Sequence, residues 1–160
     1  MNLQRFKDAQ QRRGSGFEAA LSEIQSGAKR GHWIWYVFPQ LAGLGHSTAS
    51  REFGVDGLAE AEAYLRDPVL RGRLLTIAIA VEEQVRHRIS LESLMNSSID
   101  VMKLVSSLTL FSHVAKRLHK AEGLSDYASL ARVADNILAR ADAQGYPPCQ
   151  FTVAHLRRSG

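Results

Sequence analysis

Apolar residues recur every three or four positions along most of the chain, which is the spacing of one face of an α-helix. The segments with this spacing span about residues 3–9, 17–24, 47–53, 56–65, 68–87, 91–95, 101–111 and 126–143, and a short piece at 152–157 would add one more turn. We therefore predict an all-α, compact, multihelical fold of about seven to nine helices. We expect it to form one domain over residues 1–160.

Helix start and stop signals support these segments. Asp67-Pro68 is a strong start, because Asp caps a helix and Pro suits its first position. Ser15 and Glu18 have the spacing of a capping box, and Gly27 would end the helix that they begin. Further caps are expected from four polar residues that each precede an apolar segment: Asn2, Ser47, Asp56 and Ser90.

The segment Trp33–Phe38 departs from the helical pattern. It is rich in aromatic and β-branched residues, which favour strands. No second segment offers a strand to pair with it, so we interpret it as a buried helix. Phe38 precedes a proline and is biased away from helical geometry, so the helix should end there, with a turn at Pro39-Gln40.

Composition narrows the class of protein. Hydrophobic residues make up 45% of the chain and charged residues 22%, which is typical of a folded globular protein. The longest stretch without Asp, Glu, Lys or Arg, Gly31–Ser50, contains too many polar residues and glycines to span a membrane. The segment Met1–Lys7 leads into no apolar run, so we expect no signal peptide. Cys149 is the only cysteine, which favours a reducing, cytoplasmic location.

The formal charge is +4, from 20 basic and 16 acidic residues. The basic residues are scattered along the chain rather than clustered. A solvated surface explains this distribution better than a nucleic-acid interface does. Binding of nucleic acid is therefore the least favoured of the functions considered below.

The segment from Lys29 to Ser47 is the first candidate for chemistry. Trp33 and Trp35 offer faces on which a planar ring could stack. Gly45 and Ser47 precede a predicted helix, where backbone N–H groups can bind a phosphate. His32 and Gln40 add polar groups at the two ends of the aromatic run. The alternative is that most of this segment is hydrophobic core.

Asp100 and Lys103 are the second candidate. They stand three residues apart on an otherwise apolar helix. They either form a surface ion pair, which contributes about 0.2–0.5 kcal/mol, or line the mouth of a pocket. The spacing does not decide between these alternatives.

No pattern specifies a metal, a cofactor or an activated nucleophile. The six histidines include no H-E-x-x-H pair, and the chain has no G-x-S-x-G elbow. We therefore expect no metal and no cofactor. Whether the protein is an enzyme is left open.

The motifs together resemble a known family. The matching residues are Arg5-Phe6, Ala9-Gln10, Gly27, Lys29, His32-Trp33, Trp35, Phe38-Pro39-Gln40, Gly43-Leu44-Gly45, Ser47, Glu60-Ala61, Tyr64-Leu65, Pro68, Leu70, Arg73-Leu74, Asp100, Lys103-Leu104, Ser106–Phe111, Gly145, Cys149 and Thr152. They are similar to the bacterial family of unknown function numbered 1810, over about residues 5–156. The resemblance implies a multihelical single domain and no particular activity. Some members are labelled calpastatin, but calpain-inhibiting repeats are disordered and this chain has a packed composition.

Three functions follow, in order of preference. The first is a pocket for a small nucleotide-like or phosphate-bearing ligand near the aromatic segment, with Lys29, Asp100 and Lys103 contributing. The second is a non-enzymatic interaction module, such as a homodimer, which would expose an apolar patch. The third is weak nucleic-acid binding. We expect no association with membranes.

Overall fold

The computed structural model describes residues 1–159, which contain ten α-helices and no β-strand. The first five helices are α1 (Gln4–Gln10), α2 (Phe17–Gln25), α3 (Ile34–Val37), α4 (Thr48–Glu52) and α5 (Gly57–Arg66). The other five are α6 (Pro68–Arg86), α7 (Leu91–Met95), α8 (Ser98–Glu122), α9 (Ser125–Ala143) and α10 (Gln150–Ser159). The all-α prediction is confirmed.

The helix α8 is the centre of the packing. It lies along α9 in the most extensive helix pair of the structure, and it also contacts α3, α5, α7 and α10. The helix α6 covers α9 and packs against α2 and α5. Because α8 is surrounded in this way, residues 104–112 are all buried, including four with hydroxyl groups. The buried apolar side chains of all these helices form one connected cluster.

The predicted count of seven to nine helices is too low. The C-terminal piece, expected as one turn at 152–157, is a helix of 10 residues that begins at Gln150. The helix predicted at 101–111 begins at Ser98 and continues to Glu122. Its buried stripe runs on through Val114, Ala115 and Leu118, so the apolar spacing persists beyond the expected end.

Three of the predicted side-chain caps are formed, at Ser47, Asp67 and Ser90. The carboxylate of Asp67 accepts hydrogen bonds from the N–H groups of Val69 and Leu70, at 3.0 and 3.1 Å. The Ser47 and Ser90 hydroxyls cap α4 and α7 as predicted. Three caps differ: Leu3 stands where Asn2 was expected, Gly16 replaces Ser15, and Asp56 occupies its position without a side-chain hydrogen bond.

The aromatic segment contains a short buried helix. The helix α3 has four residues, and Phe38 leaves helical geometry with φ of −122° and ψ of 75°. Leu41, just beyond the turn, forms an isolated parallel bridge with Val55. The prediction of a buried helix that ends at Phe38 therefore holds for Ile34–Val37, while Trp33 lies before the first helical residue.

No helix within residues 1–159 combines the length and the apolar character that a membrane crossing requires.

Candidate functional site

The loop between α2 and α3 is held by one carboxylate. The Glu23 side chain accepts hydrogen bonds from the N–H groups of Arg30 and Gly31 at 2.6 and 2.8 Å, and from Trp33 Nε1 at 3.0 Å. Burial raises the pKa of Glu23, but these hydrogen bonds and the nearby Lys29 outweigh it, so the pKa is lowered from its ordinary value of 4.5. The carboxylate stays charged at neutral pH and fixes the loop that carries Lys29.

Lys29 is a buried cation with a defined partner. Its side chain is only 5% exposed, and Nζ lies 2.8 Å from an oxygen of Asp100. Nζ also donates to the Gly31 carbonyl and stands 5.0 Å from the ring centre of Trp33. The Lys29 backbone N–H donates to the Leu94 carbonyl at 2.7 Å. A cation this buried requires such partners, because an unpaired one would lose its hydration without compensation.

Lys103 is the second cation of the cluster. Its Nζ lies 3.5 Å from the other Asp100 oxygen and 3.8 Å from the ring centre of Trp35. An ammonium group at this distance is attracted by the negative face of the indole. Asp100 is thus shared between two lysines, and the shorter contact is with Lys29 rather than with the helical neighbour Lys103.

Trp35 is half-buried, and its edge rests near Gly45. Gly45 has a φ of +82°, and a Cβ atom there would lie 3.1 Å from the Ser50 Cβ and 3.6 Å from Trp35 Cη2. Both the backbone conformation and this close approach favour glycine. The loop before α4 therefore positions the indole. We call Trp35, Lys103, Asp100 and Lys29 together the Trp35–Lys103 platform.

The other predicted site residues have separate surroundings. Trp33 is fully buried beneath the loop, and His32 beside it is exposed. The Ser47 hydroxyl accepts from the Ser50 N–H at 3.1 Å as the cap of α4. Gln40 is buried, and its carbonyl accepts from the Val55 N–H at 2.9 Å. The structure thus brings together Lys29, Trp33, Trp35, Gly45, Asp100 and Lys103 out of the nine candidates.

The platform is a half-buried surface. Five grooves of about 230 to 600 Å³ elsewhere on the molecule are lined by other residues. The Glu23 carboxylate acts on Lys29 in addition to Asp100, so Lys103 is the less completely compensated of the two cations, and it lies beside an aromatic face. Such a surface is suited to an anion that carries a planar group. Within residues 1–159, no group of three or more His, Cys, Asp or Glu side chains could hold a metal ion.

Sequence analysis did not single out Glu23 as part of this site. Its partners lie 7 to 10 residues further along the chain in an irregular loop. No periodic pattern connects a helical residue with a loop of this kind. The one signal in the sequence was an acidic residue, Glu23, shortly before a short segment bounded by Gly27 and Gly31.

The chain matches a known protein family over most of its length. The profile of a family described as a protein of unknown function, DUF1810, matches residues 1–135. The chain belongs to the DUF1810 family. The match contains every member of the platform and ends within α9, so α10 and the segment before it lie outside the DUF1810 profile.

The chain is also similar to a protein of known crystal structure. The chain is similar to the conserved hypothetical protein Rv1873 from Mycobacterium tuberculosis, with 33% sequence identity and a TM-score of 0.71. The alignment covers 96% of this chain and 94% of that protein, so the similarity extends beyond the DUF1810 profile to the C-terminal helix. No curated protein matches the sequence.

Proposed function

We propose that the protein binds a small phosphate-bearing, nucleotide-like ligand at the Trp35–Lys103 platform. The single observation that carries this proposal is the Lys103 ammonium group, 3.8 Å from the Trp35 ring centre. A ligand that joins a planar ring to a phosphate would meet an aromatic face and a cation at adjoining positions. Base–aromatic stacking alone contributes about 1–3 kcal/mol in nucleic-acid complexes.

The two lysines differ in their freedom to meet an anion. The Lys29 side chain is 5% exposed, and its Nζ lies 2.8 Å from an Asp100 oxygen. Lys29 therefore holds Asp100 in position rather than contacting the ligand. Lys103 is 21% exposed, and its contact with the same carboxylate is longer, at 3.5 Å. Rotation of the Lys103 side chain would uncover the indole face and bring the ammonium group to a phosphate. Lys103 is therefore the residue that we expect to contact the anionic part of the ligand.

Intrinsic fluorescence offers a direct test, because the two tryptophans of the chain both lie at this site. We would titrate the protein with AMP, ADP, ADP-ribose, adenosine and inorganic phosphate at about 50 mM salt. A ring stacked on Trp35 should quench the emission, and the phosphorylated compounds should bind more tightly than adenosine. In parallel, a ligand at 100 times its Kd should raise the free energy of unfolding by about 2.7 kcal/mol.

Matched variants locate the binding. Trp35→Phe should abolish most of the quenching, because Trp33 is fully buried. Lys103→Gln should weaken binding, whereas Lys120→Gln, an exposed lysine on the same helix, should not. If none of the compounds quenches fluorescence or raises the melting temperature of the wild type, the proposal is wrong. Equal effects of the Lys103 and Lys120 variants would place binding elsewhere.

The interaction-module alternative has one observation in its favour. Ile99 and Met102 stand one turn apart on α8 and are 63% and 59% exposed. Burial of two such side chains against a second copy would stabilise a homodimer. Light scattering over a range of concentrations tests this alternative. A dimer that dissociates in the double variant Ile99→Ser, Met102→Ser would support it, and a monomer at every concentration would contradict it.

A further inference from the structure

A groove separate from the platform lies between α8 and the segment that joins α9 to α10. Its volume is about 360 Å³, and one wall is formed by Met102, Val105 and Ser106. The other wall is the chain from Gly145 to Gln150, which includes two prolines and Cys149. Most of the surface lining the groove is therefore apolar, and a half-buried thiol opens onto it.

Cys149 immediately precedes the first residue of α10. Its carbonyl accepts the first helical hydrogen bond, from the Val153 N–H at 2.9 Å. The backbone N–H groups of Phe151 and Thr152, in the first turn of α10, lie close enough to the sulfur to lower the pKa of the thiol. The thiol therefore occupies the position of a helix N-cap, where an acceptor with negative charge is most strongly stabilised.

A second observation concerns the buried hydroxyl of Thr152. Thr152 has no exposed surface, and its Oγ1 atom has no hydrogen-bond partner within residues 1–159. Thr152 stands three residues after Cys149, in the first turn of α10, and its hydroxyl is near enough to the sulfur to lower the pKa of the thiol and can turn to donate to it. A neutral thiol is a weak acceptor, whereas a thiolate is a strong one. The hydroxyl thus lacks a good partner while Cys149 is protonated and gains one when the thiol ionises.

The surroundings favour ionisation overall. Burial raises the pKa of the Cys149 thiol, but stabilisation of the thiolate by the nearby Ser106 and Thr152 hydroxyls and by two backbone N–H groups outweighs it. The pKa is consequently lowered from the ordinary value of 9.0. The Ser106 hydroxyl donates to the Met102 carbonyl at 2.9 Å, so it would have to turn toward the sulfur to take part. Thr152 has no competing acceptor, which makes it the more specific of the two donors.

We propose that Cys149 is a covalent modification site for small apolar electrophiles of the α,β-unsaturated carbonyl class, which enter through the groove. The fully buried Thr152 hydroxyl stabilises the attacking thiolate. The groove supplies the selectivity, because its Met, Val and Pro lining accommodates an uncharged carbon skeleton. This inference rests on residues outside the Trp35–Lys103 platform and is independent of the ligand proposed there.

The reaction is a conjugate addition. The thiol first loses its proton to solvent, and the sulfur lone pair then forms a bond with the β-carbon of the alkene. The carbon–carbon π bond breaks, and its electron pair moves toward the carbonyl oxygen as an enolate. A proton from solvent is added at the α-carbon, so the proton released at the start is replaced. The product is a thioether, and no oxidant or reductant takes part.

The experiment uses the full chain with N-ethylmaleimide, an uncharged member of this class. Intact mass measures the rate of single addition from about pH 5 to pH 9, and N-acetylcysteinamide serves as the free-thiol reference. We expect the protein's rate to rise at a lower pH than that of the reference thiol. Cys149→Ser should give no adduct. A midpoint at or above that of the reference thiol would overturn the proposal.

Thr152 variants test the specific role of the hydroxyl. Thr152→Val preserves the volume and removes the donor, so addition at pH 7 should slow about fivefold and the midpoint should move to higher pH. Thr152→Ser keeps the donor and should retain the wild-type profile. Equal rates for the Val and Ser variants would contradict a role for the hydroxyl. If Thr152→Val does not fold, the test rests on Thr152→Ser. A rate midpoint at higher pH than in the wild type would then contradict the proposal.

A second probe tests the apolar groove. A maleimide that carries a carboxylate should react with Cys149 at least about threefold more slowly than N-ethylmaleimide, after both rates are divided by those of the reference thiol. Equal normalised rates would show that the groove does not select uncharged compounds. Addition to Cys149 is measured without any ligand for the platform, so failure here is distinguishable from failure of the ligand proposal.

Discussion

The molecule contains two clusters of buried charge that differ in how completely their charges are compensated. In the first, Arg5 and Glu60 form a bidentate pair, with Nη2 and Nη1 at 2.7 and 3.2 Å from the two carboxylate oxygens. The remaining guanidinium donors reach backbone carbonyls, which belong to Asn2, Glu52 and Gly54. The opposite carboxylate also accepts the Asp56 N–H at 3.0 Å. Every donor is used, and the charges balance.

The second cluster is the Trp35–Lys103 platform, where two lysines share the single carboxylate of Asp100. Glu23 lies near Lys29 and compensates it further, so Lys103 is the less compensated cation, and it lies on an aromatic face that is half-exposed. A balanced cluster stabilises the fold and leaves nothing for a ligand to satisfy. An unbalanced one leaves a charge that an anion can neutralise. Compensation of charge, rather than burial alone, distinguishes a structural ion pair from a candidate binding site.

The largest expected effect comes from breaking the balanced cluster. In Glu60→Ala the Arg5 guanidinium loses both carboxylate contacts, and its side chain is only 17% exposed. Removing one partner of a buried pair costs about 3–5 kcal/mol, so urea unfolding should show a loss near the lower end of that range. Glu83→Ala, at an exposed pair on α6, should change the free energy of unfolding by less than about 1 kcal/mol. Similar losses for both variants would contradict the comparison.

Asp100→Asn breaks the unbalanced cluster and has a smaller expected effect on stability. Lys29 loses its charged partner but keeps the Gly31 carbonyl and the Trp33 face. We expect a loss of about 2 kcal/mol in the free energy of unfolding. The same change removes the negative charge from the platform, so the affinity for a phosphate-bearing ligand should rise. Fluorescence titration measures the affinity, and weaker binding would contradict the proposal that positive charge on the platform attracts the ligand.

The sequence predicts contacts between neighbouring residues but not the contacts that form the two clusters. Helices and caps such as Asp67-Pro68 were predictable because each depends on residues a few positions apart. The pairing of Lys29 with Asp100 joins residues 71 positions apart, and only the packing of the loop against α8 creates it. Spacing offered only Lys103 as a partner for Asp100, without deciding whether the two form an ion pair, and that contact is the longer one.

The cap of α2 was predicted at Ser15 but lies at Gly16, and long-range contacts are again the cause. Ser15 and Glu18 have the right spacing, but the Tyr36 hydroxyl donates to the Ser15 carbonyl from another part of the chain. A Cβ atom at Gly16 would lie 2.4 Å from the Gln10 carbonyl, so the backbone passes too close for any other residue. Tertiary contacts therefore fix the chain path, and Gly16 becomes the residue before the helix.

The pH dependence of the free energy of unfolding tests the Arg5–Glu60 pair. Burial raises the pKa of Glu60, but hydrogen bonds from Arg5 and the Asp56 N–H outweigh it and hold the pKa below 4.5. A group with a depressed folded pKa contributes stability that is present above its unfolded pKa and is lost as the pH falls through the folded value. Stability should therefore decline below about pH 4.5, and Glu60→Gln should make this decline shallower. Urea unfolding from about pH 7 to pH 3 measures the slope, and an unchanged slope in Glu60→Gln would contradict the assignment.

The smallest expected effect on stability is also the most specific test of the comparison. Lys103→Gln removes the less compensated cation while Lys29 and Asp100 keep their 2.8 Å contact. The lost contacts are a 3.5 Å ion pair and one cation–aromatic contact, so the free energy of unfolding should fall by less than about 1 kcal/mol. Ligand affinity should nevertheless drop about tenfold, because the phosphate loses its closest charge. A stability loss as large as that of Glu60→Ala would mean that Lys103 is structural, like Arg5. Unchanged ligand affinity would mean that the Lys103 charge does not define the site.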